Sequence, residues 1–506
     1  MTAWIHRRPD PEVAAELDEI RSGAGPLAGL RLAVTDNIDV AGMPSTAARP
    51  QFADTPAVDA AAVAALRGAG AVVVGKTDLG QFATDEFDLA IATYTAGSGS
   101  VPAALQGIVG ITPTLGVISN HGVVRGCESY DCITMFASTL TLADRAMAVL
   151  AAGAQARPWP ADVRLAARAE PVVAIPDELP ELDRRWRAAF DAATERLAAG
   201  GCRIVTVEIA PFLAAANLLY DGALVSERFA AVGEFIDAHP DAALDPAVSS
   251  IIAAARDVPA HRLVRDRCEV ARLRERAMAA LVGADVFLVP TVPMHPSLAQ
   301  VAADPVGLNS RLGTYTNFCN LFDMCGVAVP AGTAADAQFG VTVLARAFDD
   351  AVALDVAALL ADAPPSPAWP IAVADHVELV VFGAHLRGGP LAHQLTDRGA
   401  RFTGEITTAP RYRMTALPTT PAKPGVMRVP DGVDGSPLTG HRWLLSPAAL
   451  GRFLAELPAP MQLGKVEFAD GSWRTAFGCD GAATGVDVSS YGSWTNALAA
   501  GAVRQT

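Results

Sequence analysis

One helix-to-strand junction limits the architecture of this chain more than any other local pattern. Asp59 to Ala69, DAAAVAALRGA, reads as an amphipathic helix running directly into the β-branched stretch Ala71-Val-Val-Val74. That alternation is expected of a layered sheet covered by helices. It returns later: helix-rich sequence from Leu182 to Leu281, with arginine and glutamate spaced along exposed faces, ends in the strand Asp285-Val-Phe-Leu-Val-Pro290. An apolar segment at 309–332 and another strand at 339–345 follow.

A chain of 506 residues is several times larger than one core usually serves, so two or more domains are expected. The break falls at Ala363-Pro-Pro-Ser-Pro-Ala-Trp-Pro370, too rich in proline for a helix or a central strand. This predicts an α/β domain over 1–362 (a mixed sheet covered by helices), a linker over 363–370 and a smaller domain over 371–506. The second domain opens on the apolar strand Glu378-Leu-Val-Val-Phe382, continues through short strands and turns, and ends near Trp494.

Composition excludes several classes of function. With 51% hydrophobic and 18% charged residues the chain is globular rather than disordered. A net charge of −15, without any Lys/Arg run, excludes a phosphate-backbone partner. No stretch has the apolar length of a membrane span or the build of a signal peptide, so the expected location is the cytoplasm. The seven cysteines are scattered without CxxC pairs, which predicts no metal; Cys319 and Cys325 are expected to be small buried hydrophobes.

The chemistry-bearing segments are RLAVTDNIDVAGMPST at 31–46, GAVVVGKTDLGQFAT at 70–84 and TAGSGSVPAA at 95–104. Together they closely resemble the amidase signature family, and its allophanate hydrolase branch fits best. In that family a serine nucleophile, a second serine in a cis peptide and a buried neutral lysine hydrolyse an amide, with amide donors holding the oxyanion. The resemblance places the nucleophile at Ser98, flanked by Gly97 and Gly99, whose missing side chains would let a substrate carbonyl approach the backbone.

The supporting groups are missing from the sequence. Where the family has lysine in VKDNIDVAG, this chain has Thr35, and a threonine hydroxyl cannot replace an amine as proton acceptor. Only Asp85 to Tyr94 separates the QFAT and TAGS motifs, so by motif comparison roughly 35 residues, including the bridging serine, are absent. Ala92-Thr-Tyr-Thr95 replaces GTDT, and Ser100 replaces an arginine. Lys76 is the one lysine of the first domain, but its GKTDL motif exists in the family alongside the catalytic lysine. Ser98 therefore reads either as a nucleophile awaiting an unrecognised base or as a turn residue left from an ancestral site.

The segment Leu218 to Arg228 resembles the allophanate hydrolase stretch whose tyrosine and arginine hold the substrate carboxylate, which maps those roles onto Tyr220 and Arg228. Two helical turns apart, both would point into one cleft. Read without the resemblance, they are a core aromatic and a solvated arginine. His121 stands where the family has arginine.

In the second domain Val381 to Leu395, Gly399-Ala-Arg-Phe402, Thr408 to Arg413, Lys423-Pro-Gly425 and Gly464 to Glu467 are similar to the allophanate hydrolase C-terminal domain. The resemblance implies a small α+β, γ-glutamylcyclotransferase-like fold, with Phe382-Gly-Ala-His385 as a backbone anion loop. It also implies work on the N-carboxycarbamate that the amidase domain releases. His385 is the candidate proton donor, His393 the second, and Arg411 or Arg413 the anion partners; the alternative is a satisfied structural histidine.

Three functions stay open. One is an enzyme of urea or carbamoyl nitrogen metabolism working through its second domain on a small carboxylated compound. Another is a non-catalytic scaffold or binding protein. The third is an ordinary allophanate hydrolase acting through Ser98. The resemblance implies a homodimer, no cofactor, and a dedicated partner such as a biotin-dependent urea carboxylase.

Overall fold

The computed structural model describes residues 4–21, 23, 25–47, 52–78, 86–95, 97–153, 157–239, 251–334, 336–361, 363 and 368–503, with Tyr220 described by its backbone alone. The chain divides into two compact units: 1–158 with 170–373, and 159–169 with 374–506. Relative to the boundaries expected from sequence, an excursion at 159–169 joins the second unit, where Ala161 O accepts from Ala448 N at 3.0 Å and Leu165 O from Arg401 Nε at 2.7 Å. Trp369, at the end of the expected linker, is buried in the first unit and its N donates to Asp144 Oδ1 at 3.1 Å. Pro364, Pro365, Ser366 and Pro367 lie outside the described residues.

Among the described residues the first unit builds one 11-stranded sheet in the order β1-β3-β2-β4-β6-β5-β10-β11-β9-β7-β8. These strands are β1 (Trp4–Arg7), β2 (Arg31–Thr35), β3 (Val72–Thr77), β4 (Leu89–Tyr94), β5 (Val109–Thr112), β6 (Cys132–Ala137), β7 (Val172–Pro176), β8 (Arg203–Val207), β9 (Val286–Pro290), β10 (Met324–Ala334) and β11 (Ala337–Arg346). β2 runs parallel to β3 and β4, and β7 parallel to β8 and β9, whereas β4–β6, β5–β6 and β10–β11 are antiparallel, so the sheet is mixed. Every residue of β3 is buried, as expected of a strand paired on both sides and covered on both faces. The preceding helix Ala61–Gly68 buries Ala62, Val63 and Leu66 on one stripe. Each large apolar side chain so buried contributes about 1.5–3 kcal/mol. Cys319 and Cys325 are each 1% exposed, as expected of small core hydrophobes.

The helix-rich stretch 182–281 contains the helices Arg184–Ala199, Ala210–Asp221, Ser226–Ala238 and Ala260–Ala280, with β8 between the first two. Tyr220 and Arg228 thus stand on different helices. The first helix ends at Gly222, whose backbone is extended (φ −98°, ψ −175°), and a short 3-10 turn over Ala223–Val225 precedes the next. Asp266 Oδ2 accepts from Ala223 N at 2.6 Å at this corner. The shared helical face expected for the pair does not exist, because the break rotates the chain.

The second unit pairs β12 (Val377–Val381), β13 (Arg401–Thr407), β16 (Thr439–Leu445), β17 (Met461–Glu467) and β18 (Trp473–Cys479) in the order β13-β16-β12-β18-β17. A second sheet orders β15 (Lys423–Arg428), β14 (Tyr412–Leu417) and β19 (Val486–Asp487). Leu379, Val381, Trp443, Leu445, Phe453, Phe477 and Trp494 meet in its core, giving the expected small α+β architecture.

Candidate functional site

Ser98 sits in a turn between β4 and the helix Val101–Gln106 and lines a cavity of about 300 Å³. The turn needs Gly97 for two reasons. Its φ is +74°, and a Cβ there would lie 2.9 Å from Thr316 Oγ1. Ser98 Oγ donates to Thr93 O at 3.0 Å and accepts from Thr95 N at 3.4 Å. No amine, imidazole or carboxylate among the described residues hydrogen-bonds it, so its proton rests on a backbone carbonyl, which is no base. Ser100, at the arginine position, is 2% exposed.

Thr35 closes β2 and is fully buried; its Oγ1 has no partner among the described residues. It is in register with Thr77, and Val34 with Lys76. Side chains alternate along pleated strands, so Lys76 projects to the opposite face from Thr35. Lys76 Nζ instead donates to Ser45 Oγ at 2.7 Å and stands 3.8 Å from Asp36 Oδ1, while Ser45 Oγ donates to Asp39 Oδ1 at 2.7 Å. Burial pulls the Lys76 ammonium down to about 8, against the opposing pull of Asp36 and Asp39. The amine is softened toward neutrality but is held by Ser45, and it does not line the cavity of Ser98.

Apart from Arg228, the rest of the cavity comes from residues that carry no signal of function in the sequence. Asn37, two residues past Thr35, lines it and donates to Thr93 Oγ1 at 2.9 Å and Val124 O at 3.0 Å. Asp131 accepts from Thr95 Oγ1, from Gly126 N at 2.7 Å and from Cys127 N at 3.0 Å, and burial raises its pKa against these bonds and the charge of Arg228. Arg228 lines the same cavity as Ser98, together with Arg125. The side chain of Tyr220 lies outside the described residues, and His121 is exposed. The shortened segment begins at Asp85, also outside them; Glu86–Tyr94 runs into and through β4.

In the second unit the turn after β12 lines a separate pocket of about 150 Å³ with His385, Gln394, Lys423, Phe453, Glu456 and Phe477. Gly383 is required here because a Cβ would lie 2.0 Å from Pro424 Cδ, which ties the turn to the Lys423-Pro-Gly425 motif. His385 is 7% exposed, stacks on Phe477 at 5.1 Å and meets Phe453 edge-on at 5.3 Å. Its Nε2 lies 2.8 Å from Gln394 Oε1, an acceptor, so Nε2 carries the proton and Nδ1 is the accepting nitrogen. Burial first, then Lys423 and His393, lower its pKa, with the Gln394 bond opposing. The ring is therefore neutral at pH 7 and set to accept a proton rather than deliver one. The turn is fixed from behind by His441 Nδ1, which accepts from Arg387 N at 2.9 Å.

The other expected partners are not in this pocket. Arg411 pairs with Asp431 at 3.2 Å and Arg413 with Asp487 at 3.2 Å, both exposed. His393 is exposed, its Nδ1 3.1 Å from Pro390 O. The cation beside His385 is Lys423, from the Lys423-Pro-Gly425 motif, which residue type alone does not single out. Strand pairing decided this: β15 places Lys423 against the His385 turn while β14 carries Arg413 away.

Comparison with known proteins matches both units. The Amidase family matches residues 11–87 and 83–354, and the Allophanate hydrolase C-terminal domain matches 377–499. An allophanate hydrolase structure from Kluyveromyces lactis is 32% identical and superposes with a TM-score of 0.87, over 98% of this chain and 93% of that one. Urea amidolyases of Lachancea kluyveri and Saccharomyces cerevisiae are 35% and 33% identical over 94% and 93% of this chain. The chain spans only 30% and 29% of their lengths. With both units matched in order along one chain, this protein belongs to the amidase family, in its allophanate hydrolase branch.

Proposed function

We propose that this chain is an allophanate-hydrolase-type protein of urea or carbamoyl nitrogen metabolism whose amidase unit does not run the serine–serine–lysine reaction. The observation that carries this reading is the hydrogen bond from Ser98 Oγ to Thr93 O, with Thr35 buried and, among the described residues, unpartnered where a lysine would stand. Without a base the hydroxyl is a weak nucleophile. The Amidase match in two pieces that meet at 83–87 supports the loss of the segment bearing the bridging serine. Any chemistry then belongs to the His385 pocket, where Lys423 offers a cation for a small carboxylate and His385 Nδ1 a proton acceptor. A urea carboxylase is the natural supplier of such a compound, and a homodimer is its expected assembly.

A second reading, Ser98-dependent allophanate hydrolysis, is favoured by Arg228 and Ser98 lining one cavity. Ammonia release from allophanate by the purified chain, beside Ser98→Ala, separates the two. The proposal expects no Ser98-dependent ammonia. Turnover that disappears in Ser98→Ala overturns it. A chain with no activity in either unit, including against N-carboxycarbamate formed in situ, is the non-catalytic binding protein.

A further inference from the structure

We infer that His441 is a positioning residue for the His385 turn, and that it holds the turn only while its ring is neutral. Its functional meaning depends on the His385 pocket being the seat of chemistry; the geometry itself does not. The turn carries His385 into its pocket, and two residues on, Arg387 N donates to His441 Nδ1 at 2.9 Å. A backbone N–H can only donate, so Nδ1 has no proton and Nε2 has one. Nε2 lies 3.4 Å from Glu405 Oε1 on β13, where Glu405 and His441 are register partners. One ring thus fastens the turn to the sheet.

A second proton changes which bond survives. It enters at Nδ1, the atom that the Arg387 amide occupies, and two N–H groups then face each other. The charged ring loses the turn and gains an ion pair with Glu405. The bonds from Leu386 N to Gly383 O at 2.8 Å and from Leu391 N to Ala384 O at 2.9 Å end on carbonyls, which do not titrate. Around the ring, β12 contributes Val381, and β13 contributes Glu405 and Phe402, whose ring meets it edge-on at 5.1 Å. The turn contributes Arg387, its guanidinium over Phe402. Apart from Glu405, the groove of about 520 Å³ onto which His441 opens is lined by uncharged residues, among them Thr407, Thr439, Ser493 and Asn496. Burial first, and Arg387 after it, lower the His441 pKa from its ordinary 6.5 against the pull of Glu405. The ring is therefore neutral at pH 7 and charges on the acid side of that value.

The test is NMR of the full chain from about pH 8 to about pH 5. It follows the His441 ring nitrogens, the His385 ring, and the exchange protection of the Arg387 amide relative to an unstructured peptide at the same pH. Protection is expected to fall about five-fold as His441 takes its proton, the loss of one ordinary hydrogen bond. His441→Asn sets its Oδ1 near the place of Nδ1 and cannot titrate, so protection should stay level across the range. His441→Phe keeps an aromatic ring against Phe402 but has no acceptor. Its Arg387 protection should be about five-fold lower already at pH 7. Its His385 midpoint should rise, because a loosened turn relieves the burial that lowers it, while Lys423 and His393 are unchanged.

Level Arg387 protection while His441 titrates overturns the inference, and so does a protonated Nδ1 at pH 7. His441→Asn and His441→Phe behaving alike also overturn it, because the acceptor would then not be what holds the turn. The pH series on the parent chain needs no variant to fold. None of these readouts requires turnover, so an inactive His385 pocket would sink the proposed chemistry and leave the fastening intact.

Discussion

Replacing Thr35 by valine tests the reading of the first unit at its root. Thr35 is 0% exposed, and neither its Oγ1 nor that of Thr77, its register neighbour, has a partner among the described residues. A buried hydroxyl without a partner carries a desolvation cost of about 1–3 kcal/mol. Valine has nearly the same branched shape, removes that cost and adds roughly one methyl group of apolar burial, about 0.8 kcal/mol. Among the described residues no donor or acceptor is orphaned by the change. Thr35→Val should therefore stabilise the first unit by about 1–3 kcal/mol, allowing for imperfect fit of the new methyl. Guanidinium unfolding, with midpoint and slope compared at equal protein concentration, reads the change. Ammonia release should be unaltered, because a hydroxyl that serves no proton transfer cannot be missed. Loss of stability on removing the hydroxyl, or loss of an ammonia-releasing activity that the parent chain possesses, would refute the reasoning.

Three other outcomes follow from particular contacts. Lys76 has a folded pKa near 8 against an ordinary value of 10.5, so the unfolded chain binds more protons between these limits and stability should rise as pH climbs through them. That gain is about 3 kcal/mol at 1.36 kcal/mol per unit; Lys76→Met should flatten the rise in pH-dependent denaturant midpoints, and an unchanged slope would count against a buried, depressed amine. Removing the Lys423 charge should raise the His385 titration midpoint followed by NMR, because Lys423 is among the causes that lower it; a downward shift in Lys423→Met would contradict the shared pocket. Glu378 accepts from Arg442 Nη2 at 2.9 Å and Arg474 Nη1 at 2.9 Å with its side chain 19% exposed, so Glu378→Leu should cost the second unit about 1–3 kcal/mol in thermal or chemical unfolding. A neutral result would assign those arginines to solvent.

Sequence alone determined the layered mixed sheet and the family, and it marked a break near residue 370 and Ser98 as expectations. These are written in local signals: a helix stripe running into valines, a proline cluster, glycines around a serine. Thr35 was also readable, since the loss of an amine is a change of chemical type at one position. The tertiary structure decided which groups meet. Lys76 and Thr35 are on neighbouring strands, yet register and pleat send them to opposite faces, a relation that depends on pairing residues 42 apart, Thr35 with Thr77. Gly222 broke what read as one helix and placed Tyr220 and Arg228 on two. Lys423, and not Arg411 or Arg413, joined His385, because antiparallel pairing of β14 with β15 fixes which strand faces the turn. His385 is a candidate donor from its residue type; the fold sets its Nε2 against Gln394 Oε1, and burial lowers its pKa. Chemical identity is carried by the residue; protonation state and partnership depend on what the fold packs around it.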